Sequence, residues 1–192
     1  ISSLNPIVCV IDKLEETTDI IQAIESNKGF LIKDNDSRQE LKIRGFGEGK
    51  KHGLLLRDYE ALYLIYSSKL NVIKENKKLT FNDVLQTALI RDEHAWTKFL
   101  IYKDIRTRGY VAKEGFGFGA DFRVYDKGNF GSKAAKYIIF AMNEGNEINL
   151  KSLIDSVKQI SRMGKVPIIA VVERRGEVIY YRLSKSHFRE LL

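Results

Sequence analysis

RGYVAKEGFGFGADFRVYDKGNFGSKAAKY, residues 108–137, is the stretch from which the fold of this 192-residue chain is read. Residues 110–113 and 118–125 are short β-type runs. The second alternates Phe118, Ala120, Phe122 and Val124 with Gly119, Asp121, Arg123 and Tyr125. A period of two sends these sets to opposite faces, so the apolar set is buried and Asp121, Arg123 and Tyr125 share the other side. Tyr125 comes last before a basic, glycine-containing loop at residues 126–133. A phenol at the open end of a strand stands where sites are commonly built. Gly115, Gly117 and Gly119 lack the order of a dinucleotide fingerprint and lead into a strand rather than a helix. They predict a tight turn with close backbone packing, not a phosphate cradle.

Downstream, residues 136–142 form an apolar strand and residues 144–147 a turn. Asn149 caps a helix running to residue 163, with Leu150, Leu153, Ile154, Val157 and Ile160 on its buried face and Gly164 as its stop. Residues 166–172 are nearly continuously apolar, as in a strand covered on both faces, and residues 177–183 return beside it after a turn at 174–176. Strand, strand, strand, helix, strand, strand is an α/β pattern. Lys165 lies just past the helix and at the head of the buried strand. There it complements the helix dipole, or, if topology brings it to the edge where Tyr125 stands, it faces a phosphate; spacing leaves both open.

Upstream, residues 6–12 read as a strand, residues 17–27 as a helix with Ile20, Ile21 and Ile24 on one side, and Gly29 as its end. Residues 30–33 and 40–44 read as a hairpin across the polar turn 34–38, and residues 45–53 as a solvated loop holding His52. From Arg57 the period becomes helical. Tyr59, Leu62, Tyr63 and Tyr66 recur at three and four residues, a spacing that marks core before it marks a base-stacking surface. Residues 70–74 are a short strand, Thr80 with Asp83 caps a helix carrying Val84, Leu85, Ala88 and Leu89, and a further helix covers residues 93–107, with His94 on its surface. The chain divides into a small N-terminal α+β domain, residues 1–106, and a C-terminal α/β domain with a mixed sheet, residues 107–192.

A formal net charge of +7 suits a polyanionic partner, while 44% hydrophobic and 30% charged residues describe an ordinary globular chain. The single Cys9 excludes an internal disulfide and a cysteine-based zinc site, and fits a reducing cytoplasm. No apolar run approaches the ~20 residues of a membrane span. Residues 7–11 are too short for a signal-peptide core, so neither a membrane nor a secretory leader is expected.

The run LIYKDIRTRGYVAKEGFGFGADFRVY (100–125), followed by KYII (136–139) and IIAVVERRGEVIYY (168–181), closely resembles the archaeal tRNA-intron (splicing) endonucleases. YEALYLI (59–65) and LTFNDVL (79–85) resemble that family's N-terminal domain. The resemblance implies that the C-terminal domain is a nuclease domain. It implies cleavage of precursor tRNA at a bulge-helix-bulge motif, leaving a 2′,3′-cyclic phosphate and a 5′-hydroxyl. The family works without a metal and no cofactor is implied. A Tyr helps to deprotonate the ribose 2′-hydroxyl, a His protonates the departing 5′-oxygen, and a Lys stabilises charge on the phosphate. Tyr125 and Lys165 occupy the first and last of these positions. The histidine expected three residues before Tyr137 is Ala134, and no histidine lies between His94 and His187. A general acid contributes ~10²–10⁴ in rate, so this chain is expected to be severely impaired.

Lys158 stands where the family tends to carry an Arg that grips a bulge nucleotide, and is equally read as a solvated lysine. Arg162 is read as a phosphate contact or a surface residue. The resemblance further implies assembly as a homo-oligomer or as a heterotetramer with a second endonuclease subunit. Edge pairing through residues 178–183 is part of that expectation. The family's acidic loop between the last two strands reads Glu173, Arg174, Arg175, Gly176, Glu177 here, which departs from the usual docking pattern. Two other readings stand beside this one: a non-catalytic RNA-binding subunit, supported by Ala134, and a metal-dependent nuclease with Asp121 and Glu173 as ligands beside Lys165.

Overall fold

The computed structural model describes residues 20–185; the strand read at 6–12, with Cys9, lies outside them. Two mixed sheets share one continuous core. In the first, β1 (Ile21–Ser26) and β2 (Gly29–Ile32) form a hairpin, followed by α1 (Asn35–Ile43), β3 (Glu48–Lys50), β4 (Gly53–Leu56), α2 (Asp58–Tyr66), β5 (Leu70–Lys74) and β6 (Lys77–Leu79). The strand order is β3-β4-β2-β1-β5-β6, with β1 and β5 parallel and the other neighbours antiparallel. After α3 (Phe81–Arg91) and α4 (Ala95–Thr107) come β7 (Val111–Glu114), β8 (Phe122–Tyr125), β9 (Tyr137–Asn143), α5 (Leu150–Arg162), β10 (Val166–Val172) and β11 (Val178–Arg182). They form a second sheet in the order β11-β10-β9-β8-β7, in which β9 and β10 run parallel and α5 is their crossover.

Four expectations in the first half are corrected. Residues 17–27 do not form a helix: over the described part, Ile21 and Ala23 are buried while Gln22 and Ile24 face outward, the period-two pattern of β1. Ile20, Ile21 and Ile24 satisfy both templates over so short a run, and pairing with β5 decides between them. Gly29 is not a helix stop but a close approach: at φ +141°, a Cβ there would lie 2.1 Å from the Leu56 carbonyl oxygen. Residues 40–43 belong to α1 and Arg44 caps its end, because Asp34, read as part of a turn, is an N-cap whose carboxylate accepts from Ser37 N at 2.8 Å. Residues 45–53 are not a plain loop, since they contain β3 and its turn into β4.

The later elements follow their patterns more closely. Thr80 and Asp83 close a reciprocal capping box on α3. Tyr59 and Leu62 are buried, and Tyr59 packs on Tyr102 at 4.9 Å and on Phe122 at 5.0 Å between centroids, so this part of the stripe is core. Tyr66, at its end, is exposed. β8 is shorter than the expected 118–125 run: Phe118 sits at φ +58° in a turn, and Ala120 N donates to Gly117 O at 3.1 Å. The buried face of α5 is also rotated from expectation. Ile160 is buried, but Leu150 and Ile154 are exposed, and Ser156 turns inward to donate to Phe118 O at 3.1 Å. α4 lies on one face of the second sheet and also packs on α2, while α5 covers the other face through Ile138, Phe140 and Ile160.

Glu60, 2% exposed, joins the two halves. Its carboxylate accepts from Gly47 N and Arg57 N, both at 2.9 Å, and pairs with Lys113 of β7 at 3.5 Å. Lys113 Nζ also donates to Gly47 O at 2.5 Å. Burial pushes the Glu60 carboxyl above its usual pKa, against the opposing pull of Lys113 and the two amides.

Candidate active site

The registers of the second sheet gather one edge. Val124, next to the end of β8, pairs with Tyr137, the first residue of β9, and Tyr137 pairs with Val166, the first of β10. The backbone of Lys136 ties the three together, because Lys136 N donates to Val124 O at 2.9 Å and Val166 N donates to Lys136 O at 2.9 Å. Tyr125, residues 134–136 and Lys165 therefore lie at the same end of the sheet. With strands ~4.8 Å apart, β8 and β10 stand about 10 Å apart across β9.

Tyr125 is half-buried, and its ring meets Phe130 of the following loop edge-on at 5.1 Å. Arg123, two residues back on the same face, lies 5.9 Å over the Phe116 ring and lines a cleft of about 380 Å³ with Arg57 and Lys113. Lys165 is positioned by the end of α5: Gly164 turns at φ +69°, and Lys165 N donates back to Ile160 O at 3.2 Å. The Lys165 ammonium then donates to Ala135 O at 2.5 Å, which places it beside Ala134. Ala134 is exposed and presents a methyl group where a proton donor was expected. Arg162 is exposed in the last turn of α5, three residues before Lys165. Lys158 is exposed a further turn back, pairs with Asp155 at 3.5 Å, and is not brought into the cluster.

Sequence reasoning missed Lys136 and Asp126. The Lys136 ammonium donates to Asp126 Oδ2 at 2.8 Å and lies 5.1 Å over the Tyr137 ring. The bond to Asp126, and after it one with Tyr137, holds the lysine above its usual pKa. The available signal was that each residue adjoins a site position, Asp126 following Tyr125 and Lys136 following Ala134 by two.

The metal reading of Asp121 and Glu173 is corrected. Asp121 accepts from Ala141 N at 2.7 Å and pairs with Lys98 at 3.3 Å, at the far end of β9. Ala141 pairs with Ala170, five residues along β10 from Lys165, or roughly 17 Å. Glu173 lies beyond the opposite end of β10 from Lys165, roughly 26 Å along the strand. Among the described residues no group of three or more His, Cys, Asp and Glu is gathered. His52 lies in the β3–β4 turn and His94 caps α4 near Asn143, so neither reaches the Tyr125 edge. No helix among the described residues is long and apolar enough to cross a membrane.

A phenol, an ammonium and a loop rich in lysine can hold a phosphodiester and withdraw charge from it, and among the described residues the edge has no imidazole to return a proton. Residues 95–180 match the family model of the tRNA intron endonuclease catalytic C-terminal domain, and residues 21–85 match that of its N-terminal domain. The chain is 30% identical over 165 residues to a tRNA-splicing endonuclease of Methanococcus vannielii, covering 85% of this chain and 93% of the relative. It is 31% identical over 165 residues to one of Pyrococcus abyssi, covering 86% and 95%. Against one of Methanosarcina acetivorans it is 33% identical over 142 residues, covering 73% of this chain and 40% of the relative.

Proposed function

Because this chain belongs to the tRNA intron endonuclease family, we propose that it acts on precursor tRNA at a bulge-helix-bulge as one subunit of an oligomeric, metal-independent endonuclease in the cytoplasm. The observation that carries the reading is the register placing Tyr125, Ala134 and Lys165 at one sheet edge. In the reaction, the ribose 2′-oxygen attacks phosphorus as Tyr125 helps to remove its proton. The bond from phosphorus to the 5′-oxygen breaks, leaving a 2′,3′-cyclic phosphate. Lys165 offsets the charge on the nonbridging oxygens once its ammonium swings from Ala135 O to the phosphate. The 5′-oxygen must then take a proton, and Ala134 has none to give. The chain as written is therefore a weak or inactive nuclease.

The exposed methyl of Ala134 supports a second role, that of a non-catalytic RNA-binding subunit beside a histidine-bearing partner. Both readings separate in one experiment: Ala134→His and the unaltered chain are incubated with intron-containing precursor tRNA in EDTA. Cutting at both splice sites by the variant alone, faster by ~10²–10⁴, identifies a disabled catalytic subunit. If neither cuts until a histidine-bearing relative is added, the supporting role holds. Cleavage by the unaltered chain that EDTA abolishes refutes the metal-independent chemistry.

A further inference from the structure

Around the same edge, on the α4 face of the second sheet, lies a cavity of about 180 Å³ that the reaction described above does not use. Its floor is aliphatic, from Val124, Ile139 and Ile168, and three phenol rings wall it, those of Tyr110, Tyr137 and Tyr180. Tyr110 and Tyr137 meet edge to face, their centroids 6.4 Å apart and their planes at 81°. Tyr180 is fixed from behind, because its hydroxyl donates to Asp104 Oδ2 at 2.8 Å. The same carboxylate takes Arg108 Nε at 2.7 Å and Arg108 Nη2, on its other oxygen, at 3.2 Å.

Cations surround this apolar slot. Arg108 lines it, and the Lys127 and Lys136 ammonium groups, which do not line it, stand 5.2 Å over the Tyr110 ring and 5.1 Å over the Tyr137 ring. An apolar, aromatic interior under a cationic rim fits a planar uncharged ring joined to an anion. The volume is below the ~300 Å³ at which drug-sized pockets begin, so it admits one ring system and not a peptide segment. Its wall residue Tyr137 is paired with both Val124 and Val166, which directly adjoin Tyr125 and Lys165. We propose that this cavity receives one unpaired nucleobase of an RNA strand, stacked against Tyr110 and Tyr137, with the attached phosphate held by Lys127, while Arg108 and Lys136 stay paired with Asp104 and Asp126. The proposal rests on the reading that the Tyr125 edge binds RNA, and it adds a base-holding pocket on the other face of the sheet.

The test uses the full chain and two probes. With adenosine or uridine 5′-monophosphate at millimolar concentration, the aromatic resonances of Tyr110, Tyr137 and Tyr180 shift. In Tyr110→Leu, which replaces a half-buried ring at the mouth, that shift disappears while the melting temperature stays close to that of the unaltered chain. With precursor RNA, Tyr110→Leu weakens binding about 5- to 150-fold, the range set by losing one stacked base. A single abasic nucleotide at the pocketed position weakens binding of the unaltered chain equally, and the variant is then indifferent to the abasic change. Tyrosine shifts with mononucleotides but no binding of precursor RNA uphold the pocket and sink the proposed function instead. Precursor RNA bound with full affinity by Tyr110→Leu overturns the pocket, as do mononucleotides that leave the three rings unmoved. Ring shifts that follow protein concentration rather than nucleotide also overturn it, because a second copy of the chain then covers the slot.

Discussion

Replacing Lys113 with Met tests what joins the two halves of the chain. Glu60 is 2% exposed, and its partners are two backbone amides at 2.9 Å and the Lys113 ammonium at 3.5 Å. Removing one partner of a buried ion pair costs ~3–5 kcal/mol, because a charge is left uncompensated. Here both amides remain and Lys113 is itself 16% exposed, which puts the loss at the lower end, about 3 kcal/mol. For a chain of this length ~1 kcal/mol moves Tm by about 2–4 °C, so Tm should fall by roughly 6–12 °C at neutral pH. The pH dependence has a defined sign. Burial raises the folded pKa of Glu60 above its usual 4.5, so its favourable contribution is present below that value and is lost as pH rises through the folded pKa. Without Lys113 the folded pKa rises further, and the deficit is widest at pH 7.5 and narrows towards pH 5. Thermal melts at both pH values, with Glu60→Gln and the double variant completing a cycle, should give a coupling of about 1–2 kcal/mol. A Tm loss under about 3 °C, or a coupling indistinguishable from zero, refutes the account.

In the Ala134→His background, Lys165→Met should lower the single-turnover cleavage rate by ~10²–10³ while the lost bond to Ala135 O costs about 1 kcal/mol of stability; an unchanged rate removes Lys165 from the chemistry. Gly115→Ala should destabilise by about 2–3 kcal/mol in urea titrations, because its Cβ would lie 2.0 Å from Ala120 O. Gly128→Ala, in open space at φ +73°, should cost about 1–2 kcal/mol from backbone strain alone, and equal losses would contradict the packing argument. The hydroxyl of the fully buried Tyr102 has no partner among the described residues, so Tyr102→Phe should leave stability unchanged or raise it by up to about 1 kcal/mol, and a loss above that would show that the hydroxyl is satisfied.

What could be read in the sequence follows from how local each cause is. The capping box of Thr80 and Asp83, the helical recurrence of Tyr59 and Leu62, and the strand and helix order after residue 110 are set within a few residues, and the structure keeps them. The Ile20 to Ile24 spacing fits helix and strand alike until β5, about fifty positions on, supplies the partner. Asp34 begins a helix or a turn equally well, and its bond to Ser37 N decides only once α1 has somewhere to bury Leu41. The rotation of α5 depends on Ser156 finding the Phe118 carbonyl, a contact that hydrophobic periodicity does not encode. Tyr125 and Lys165 were singled out through the resemblance, spacing leaving Lys165 open, and their lying at one edge depends on the parallel register of β9 and β10. Asp126 follows the FRVY run and Lys136 opens KYII, but neither was singled out, because their bond to each other depends on that register.

β11 pairs with β10 alone among the described residues, and it is the last of the described strands to be made. Every residue of the Tyr125 edge lies earlier, between residues 124 and 166, within elements that neighbour one another in space as well as in sequence. During synthesis the sheet can organise that edge while the outer side of β10 still lacks its covering strand. The emerging chain therefore passes through an interval in which that edge is arranged and the flank of β10 is bare, and β11 covers the flank afterwards. Arg182 and Lys185, both exposed, place positive charge along the new rim, where like charges discourage indiscriminate strand addition between nascent copies. Translation order thus separates making the site from opening the chain to other chains.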